Sequence, residues 1–132
     1  MDEGLKQAVR ERSGFRCEYC LLPEFGSRYR FQIDHVIAGQ HEGPTVLENL
    51  AHSCAHCNHH KGPNLTGFDH TRGEVTRLFN PRTDQWSEHF RWDGAILAGL
   101  IPVGRVTIHV LVINESMFLR NRGALMEEGR YF

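Results

Sequence analysis

No stretch of this chain approaches the roughly 18 consecutive apolar residues that a membrane-spanning helix needs, so a helical membrane protein is excluded. An N-terminal apolar segment of signal-peptide type is also missing. An oxidising compartment is therefore not implied, and a cytoplasmic location is expected. An excess of either charge is missing too: 15 Lys and Arg face 16 Asp and Glu, for a net charge of -1. A strongly basic chain would announce a nucleic-acid partner by charge alone. Here polyanion binding would have to come from local clusters such as Arg10/Arg12/Arg16, Arg28/Arg30 and Lys61, helped by bound cations. There are no repeats, no low-complexity tracts, and no helix-turn-helix or long basic arm to read bases. With 132 residues the chain is expected to form one domain with a modest core, which a structural metal would help to stabilise.

Cysteine is scarce, but its placement is informative. The only four are Cys17, Cys20, Cys54 and Cys57, two Cys-x-x-Cys pairs. Two such knuckles suit one tetrahedral zinc. Two disulfides are the competing reading, but Cys-x-x-Cys is a tight loop for a structural disulfide, and the expected compartment is reducing. A redox pair of the thioredoxin kind usually stands alone near a βαβ pattern, and none is visible.

Histidine is abundant, with nine in all. His35, His41, His52, His56, His59 and His60 crowd one segment. Most read as solvated residues, and only local pattern can single out one for metal or proton chemistry.

Residues 2–13 read as a helix, with Asp2 as N-cap, a Leu5/Ala8/Val9 stripe and Gly14 as the stop. Tyr29 to Ile33 reads as a strand ending at Asp34-His35, with a return strand beginning at Ile37-Ala38. Val46 to Leu50 reads as a helical turn capped by Thr45, and 55–61 as a helix stopped by Gly62-Pro63. Two strands are expected near Val75–Phe79 and Trp86–Trp92. The segment 102–113 fits either periodicity and its β-branched content favours strand, but Pro102 near its start tilts the reading to helix. Residues 115–128 read as a last helix, with Phe118, Leu119, Leu125 and Met126 facing the core.

Cys17-x-x-Cys20, Ile33-Asp34-His35-Val36, Glu48-Asn49-Leu50 and Cys54-x-x-Cys57-Asn58-x-x-Lys61-Gly62 occur in that order. This pattern resembles the HNH endonuclease family, in the variant whose third signature residue is Asn rather than His. The resemblance covers roughly residues 5–65. It implies an α+β fold built on a ββα-metal finger, a hairpin and a helix held by structural zinc. An N-terminal helix and a C-terminal extension over 66–132 would elaborate it. It also implies a DNA substrate and products with 5′-phosphate and 3′-hydroxyl ends.

Residue chemistry fits that activity. Phosphodiester hydrolysis needs a base for water and a cation for the developing charge. Histidine is the side chain whose ordinary pKa lies nearest the working pH, which makes His35 the natural base. Asp34, on the opposite side of an extended strand, would hold Mg²⁺ or Mn²⁺ together with the Asn58 amide oxygen, since hard cations take oxygen ligands. The resemblance gives the same roles and adds Asn49, as the residue that braces the loop and orients His35. Lys61 would contact a phosphate.

Plainer readings stand beside these. Asp34 can cap a turn, Asn49 can be a bend residue, Asn58 an ordinary helix residue and Lys61 a solvated helix end. His59 is the next candidate ligand if Asn58 is not one. Trp86, Phe90 and Trp92 read as core rather than as a base-stacking platform. The competing functions are a zinc-stabilised binding module without turnover and a redox protein. A targeting partner or homodimerisation would compensate for the weak overall charge.

Overall fold

The computed structural model describes residues 1–132. In chain order come α1 (Glu3–Arg12), β1 (Gln32–His35), β2 (Leu50–Ser53), α2 (Ala55–Lys61), β3 (Thr66–Asp69) and β4 (Glu74–Arg77). They are followed by the single turn α3 (Trp86–His89), then β5 (Phe90–Asp93), β6 (Ile96–Gly99), α4 (Pro102–Val110) and α5 (Ser116–Glu127). The strands form three separate antiparallel hairpins, β1–β2, β3–β4 and β5–β6. An isolated hairpin is marginal in water, so each depends on what it packs against. The class is α+β, and β1, β2 and α2 make a ββα finger.

Local chemistry explains the helices. The Asp2 carboxylate accepts from the Leu5 amide at 3.0 Å and caps α1, and Gly14 takes the left-handed conformation after it. Pro102 occupies the first turn of α4. The ambiguous 102–113 segment is thus helical up to Val110, because Val103, Val106 and Val110 recur on one helical face. That face packs on β3, β4 and β6. Gly67 in β3 permits the close approach: a Cβ there would lie 2.5 Å from Val110 Cγ2 and 2.7 Å from Val106 Cγ1. The last helix forms as expected, but it buries Arg122 as well as Leu125. Arg122 donates to Ala95 O, Ile113 O and Asn114 Oδ1.

Four expectations are corrected. The first strand starts at Gln32 rather than Tyr29, and Tyr29 is exposed. The return strand is not at Ile37-Ala38 but at Leu50–Ser53, paired Asp34 to Ala51 and His35 to Leu50. All four residues of that strand are buried, so it shows no alternation to read. Thr45 does not cap the 47–49 turn, which starts from Val46 without a side-chain cap. Trp86–His89 coils into a turn of helix before the chain extends. The strands Thr66–Asp69 and Ile96–Gly99 were not foreseen; both contain glycine, which weakens a strand pattern.

One apolar cluster joins all four cysteines to extension residues such as Phe79, Phe90, Leu97, Val106 and Tyr131. Polar locks cross the same boundary. The buried Tyr131 hydroxyl donates to Cys20 O at 2.6 Å, and Trp86 Nε1 donates to Tyr19 O at 2.8 Å. Arg82 pairs with Glu18 of the first knuckle.

Candidate metal centre and active site

The four Sγ atoms lie within 4.8 Å of one another, and all four cysteines are buried and free of disulfides. Tetrahedral zinc with bonds of about 2.3 Å would set its sulfurs about 3.8 Å apart. Cys20 Sγ and Cys54 Sγ are 3.8 Å apart. Burial pushes the Cys17 thiol up, but hydrogen bonds from the neighbouring thiols outweigh it and bring Cys17 well down. Cys54 and Cys57 are pushed up, foremost by their hydrogen bonds to Cys17 and Cys20. The thiols therefore stabilise one anion among them and oppose more, unless a cation enters. The donor set and its spacing fit a structural zinc. Cys54 also begins α2, its sulfur accepting from the Cys57 amide at 3.4 Å, so the metal would fix the helix as well as the knuckles.

His35 ends β1, half-buried, with Nε2 2.9 Å from Thr45 Oγ1. The loop between them is tied by Asn49. Its Oδ1 accepts from the Ile37 amide at 2.9 Å, and its Nδ2 donates to Ile37 O at 3.0 Å and Pro44 O at 2.9 Å. Val36 N–H donates to Asn49 O at 2.9 Å. Gly43 completes the knot: a Cβ there would fall 1.7 Å from Ile37 O and 3.0 Å from Asn49 Nδ2. Gly43→Ala must therefore break the loop, and we expect it to destabilise by about 1–3 kcal/mol, the scale of enforced local strain. Urea unfolding of zinc-loaded protein measures this; an unchanged midpoint would remove the constraint.

On the other face of β1, Asp34 is only 5% exposed. The Tyr19 hydroxyl donates to Asp34 Oδ2 at 2.6 Å. Lys61 Nζ lies 3.2 Å from Oδ1 and 3.2 Å from Oδ2. Burial pushes the Asp34 carboxyl above its ordinary value, while Lys61 and Tyr19 oppose that rise. Burial, together with Asp34, drives the Tyr19 hydroxyl well up, so it stays a donor.

Residues 17–64 match the HNH endonuclease family. Over that segment, a little over a third of the chain, the protein is similar to an HNH domain. Comparisons with curated proteins and with solved structures return no match. The matched span opens at the first zinc cysteine and ends just past α2, so it contains the whole ββα finger.

The HNH signature residues separate into two groups. His35 and Asn49 converge on one loop. Asp34 and Lys61 converge beneath the strand instead. Asn58 sits half-buried in α2, its main-chain N–H donating to Cys54 O and its main-chain carbonyl accepting from the Gly62 N–H, while His59 is exposed. On the Asp34 side, where a divalent cation is implied together with Asn58, the carboxylate already meets the Tyr19 hydroxyl and the Lys61 amine, so an ion there would have a positive charge beside it. Lys61 is corrected as well: it is 2% exposed, and its amine is held by Asp34, His35 O and Val36 O, so it does not present itself to a phosphate. Tyr19 and Thr45 were missed. Tyr19 lies inside the first knuckle, where its hydroxyl had no evident partner, and Thr45 resembled a cap.

Other histidines have structural partners. His52 is buried with Nε2 2.6 Å from Glu24 Oε1. His56 Nε2 lies 2.8 Å from Val112 O, and its ring packs on Phe118.

Proposed function

We propose that the protein is a DNA endonuclease that hydrolyses phosphodiester bonds, with His35 as general base. The observation that carries this reading is His35 at the strand end, one ring nitrogen on Thr45 and the loop below it tied by Asn49. If Nε2–H donates to Thr45 Oγ1, the Nδ1 lone pair is left to take a proton from water. The water oxygen then bonds to phosphorus as the bond to the 3′ oxygen breaks, and that oxygen takes a proton from solvent, leaving 5′-phosphate and 3′-hydroxyl ends. Asn49 acts by orientation: it fixes the loop that fixes His35. The zinc is structural and takes no part in this step. Mg²⁺ or Mn²⁺ is the cofactor implied by the family, and when bound it would neutralise charge developing on the phosphate and the leaving oxygen.

The test is conversion of supercoiled plasmid by zinc-loaded protein, with Mg²⁺ in one arm and Mn²⁺ in another. Nicked or linear product with ligatable ends supports the reading. A second reading, a zinc-stabilised binding module, is favoured by the use of Asp34 and Lys61 in internal pairing. Tight DNA binding with intact plasmid in both arms would select it.

The net charge of -1 also implies few phosphate contacts, about three to five, and so a log–log salt slope of roughly -3 to -4.5. A slope twice as steep, measured by fluorescence anisotropy on duplex DNA, would contradict this. With so few contacts, a targeting protein or a second copy would supply the missing affinity. We further propose that 1–132 unfolds as one unit, given the locks between the extension and the first knuckle, and that it works in the reducing cytoplasm, where four free thiols persist.

A further inference from the structure

Every hydrogen-bond partner of the Lys61 amine is an oxygen. It lies 3.2 Å from each Asp34 carboxylate oxygen, 3.3 Å from His35 O and 3.1 Å from Val36 O. Carboxylate and main-chain carbonyl oxygens are also what a hard divalent cation takes, at about 2.0–2.6 Å. Here the separations are those of N–H···O hydrogen bonds. The cage is a cation site whose cation is attached to the chain. Its charge is already balanced, one carboxylate against one ammonium. A divalent ion would have to sit beside that ammonium or expel it, and expulsion would strip Val36 O, in a residue buried at 8% exposure, of this donor.

We propose that Lys61 is the resident cation of the Asp34 site. It keeps exchangeable divalent cations off the Asp34 carboxylate, and it holds the backbone of the strand end that presents His35. Lys61 is thus a positioning residue, gripping His35 O and Val36 O from below while Asn49 ties the loop from above. Asp34 anchors Lys61 and does not ligate an exchangeable metal. The proposal stands whether or not the chain cleaves DNA, because it concerns only what occupies Asp34.

The test is titration of the zinc-loaded full chain with Tb³⁺, a hard oxygen-seeking ion, under tyrosine excitation. The Tyr19 hydroxyl lies 2.6 Å from Asp34 Oδ2, so an ion on Asp34 would be sensitised by that ring. Wild type and Asp34→Asn should give the same titration. Lys61→Met should gain a site at least about tenfold tighter, as loss of an adjacent positive charge allows. That site should vanish in Lys61→Met/Asp34→Asn. A wild-type site weakened tenfold by Asp34→Asn would overturn the proposal, and so would a zinc-replete Lys61→Met with no new site. Should either variant lose its zinc, the wild type decides alone. Tyrosine-sensitised emission saturating at one Tb³⁺ per chain overturns the proposal, and its absence supports it.

Discussion

Stripping the zinc is expected to unfold the protein, not merely to loosen the two knuckles. Structural zinc binding in small domains contributes on the order of 10–16 kcal/mol to folding, against a typical net stability of about 5–15 kcal/mol. Here the four cysteines belong to the main apolar cluster. The knuckles also anchor distant parts of the chain: Cys20 O receives Tyr131, Tyr19 O receives Trp86, and Glu18 receives Arg82. Cys54 starts α2. Losing the metal leaves four buried thiols that oppose multiple ionisation and have no other binder. Cys57→Ser and chelator treatment should both abolish the cooperative thermal transition in circular dichroism, and elemental analysis of native protein should give one zinc per chain. A chelated, metal-free sample that melts as before would contradict the account, as would disulfides found by mass mapping in protein kept reduced.

His35→Ala should leave zinc content and melting behaviour near wild type while lowering cleavage by about 10²–10⁴-fold, the typical worth of a positioned base. The side chain is half-buried at a strand end and its one ring hydrogen bond is with the exposed Thr45, so no buried polar partner is orphaned. The loop below it is secured by Asn49 independently of the imidazole. Stability and activity should therefore separate at this position. At Asn49 they should fall together, because Asn49 makes three loop hydrogen bonds from a buried site. A clean His35→Ala preparation that nicks plasmid at the wild-type rate would remove His35 from the chemistry.

The sequence made the finger legible because its elements are tied to residue types with few alternatives. Four thiols in two knuckles need a common partner, and Gly62-Pro63 stops a helix wherever it stands. Cys54 and Cys57 then fix where α2 begins. The return strand was not legible, since Leu50–Ser53 is buried on both faces and includes His52 and Ser53. Its pairing is decided by the 36–49 loop, whose knot depends on Asn49 and Gly43 meeting across sequence. The candidate residues divide in the same way. That Asn49 ties the loop next to His35 could be expected from local order, whereas the destination of Lys61 could not. From sequence, a lysine in the last turn of a helix favours solvent and the helix dipole. Only the fold brings the end of α2 under β1, where Asp34 and two carbonyls capture the amine. That capture sets an ammonium on Asp34, where adjacency to His35 had suggested a divalent cation.

The central claim, that the His35 imidazole is the base, is tested most directly by chemical rescue. His35→Gly, zinc-loaded, would be assayed on a defined DNA duplex with increasing imidazole at several pH values. The account predicts negligible cleavage without imidazole, and recovery that follows the concentration of neutral imidazole. Cleavage by His35→Gly at the wild-type rate with no imidazole present would contradict it.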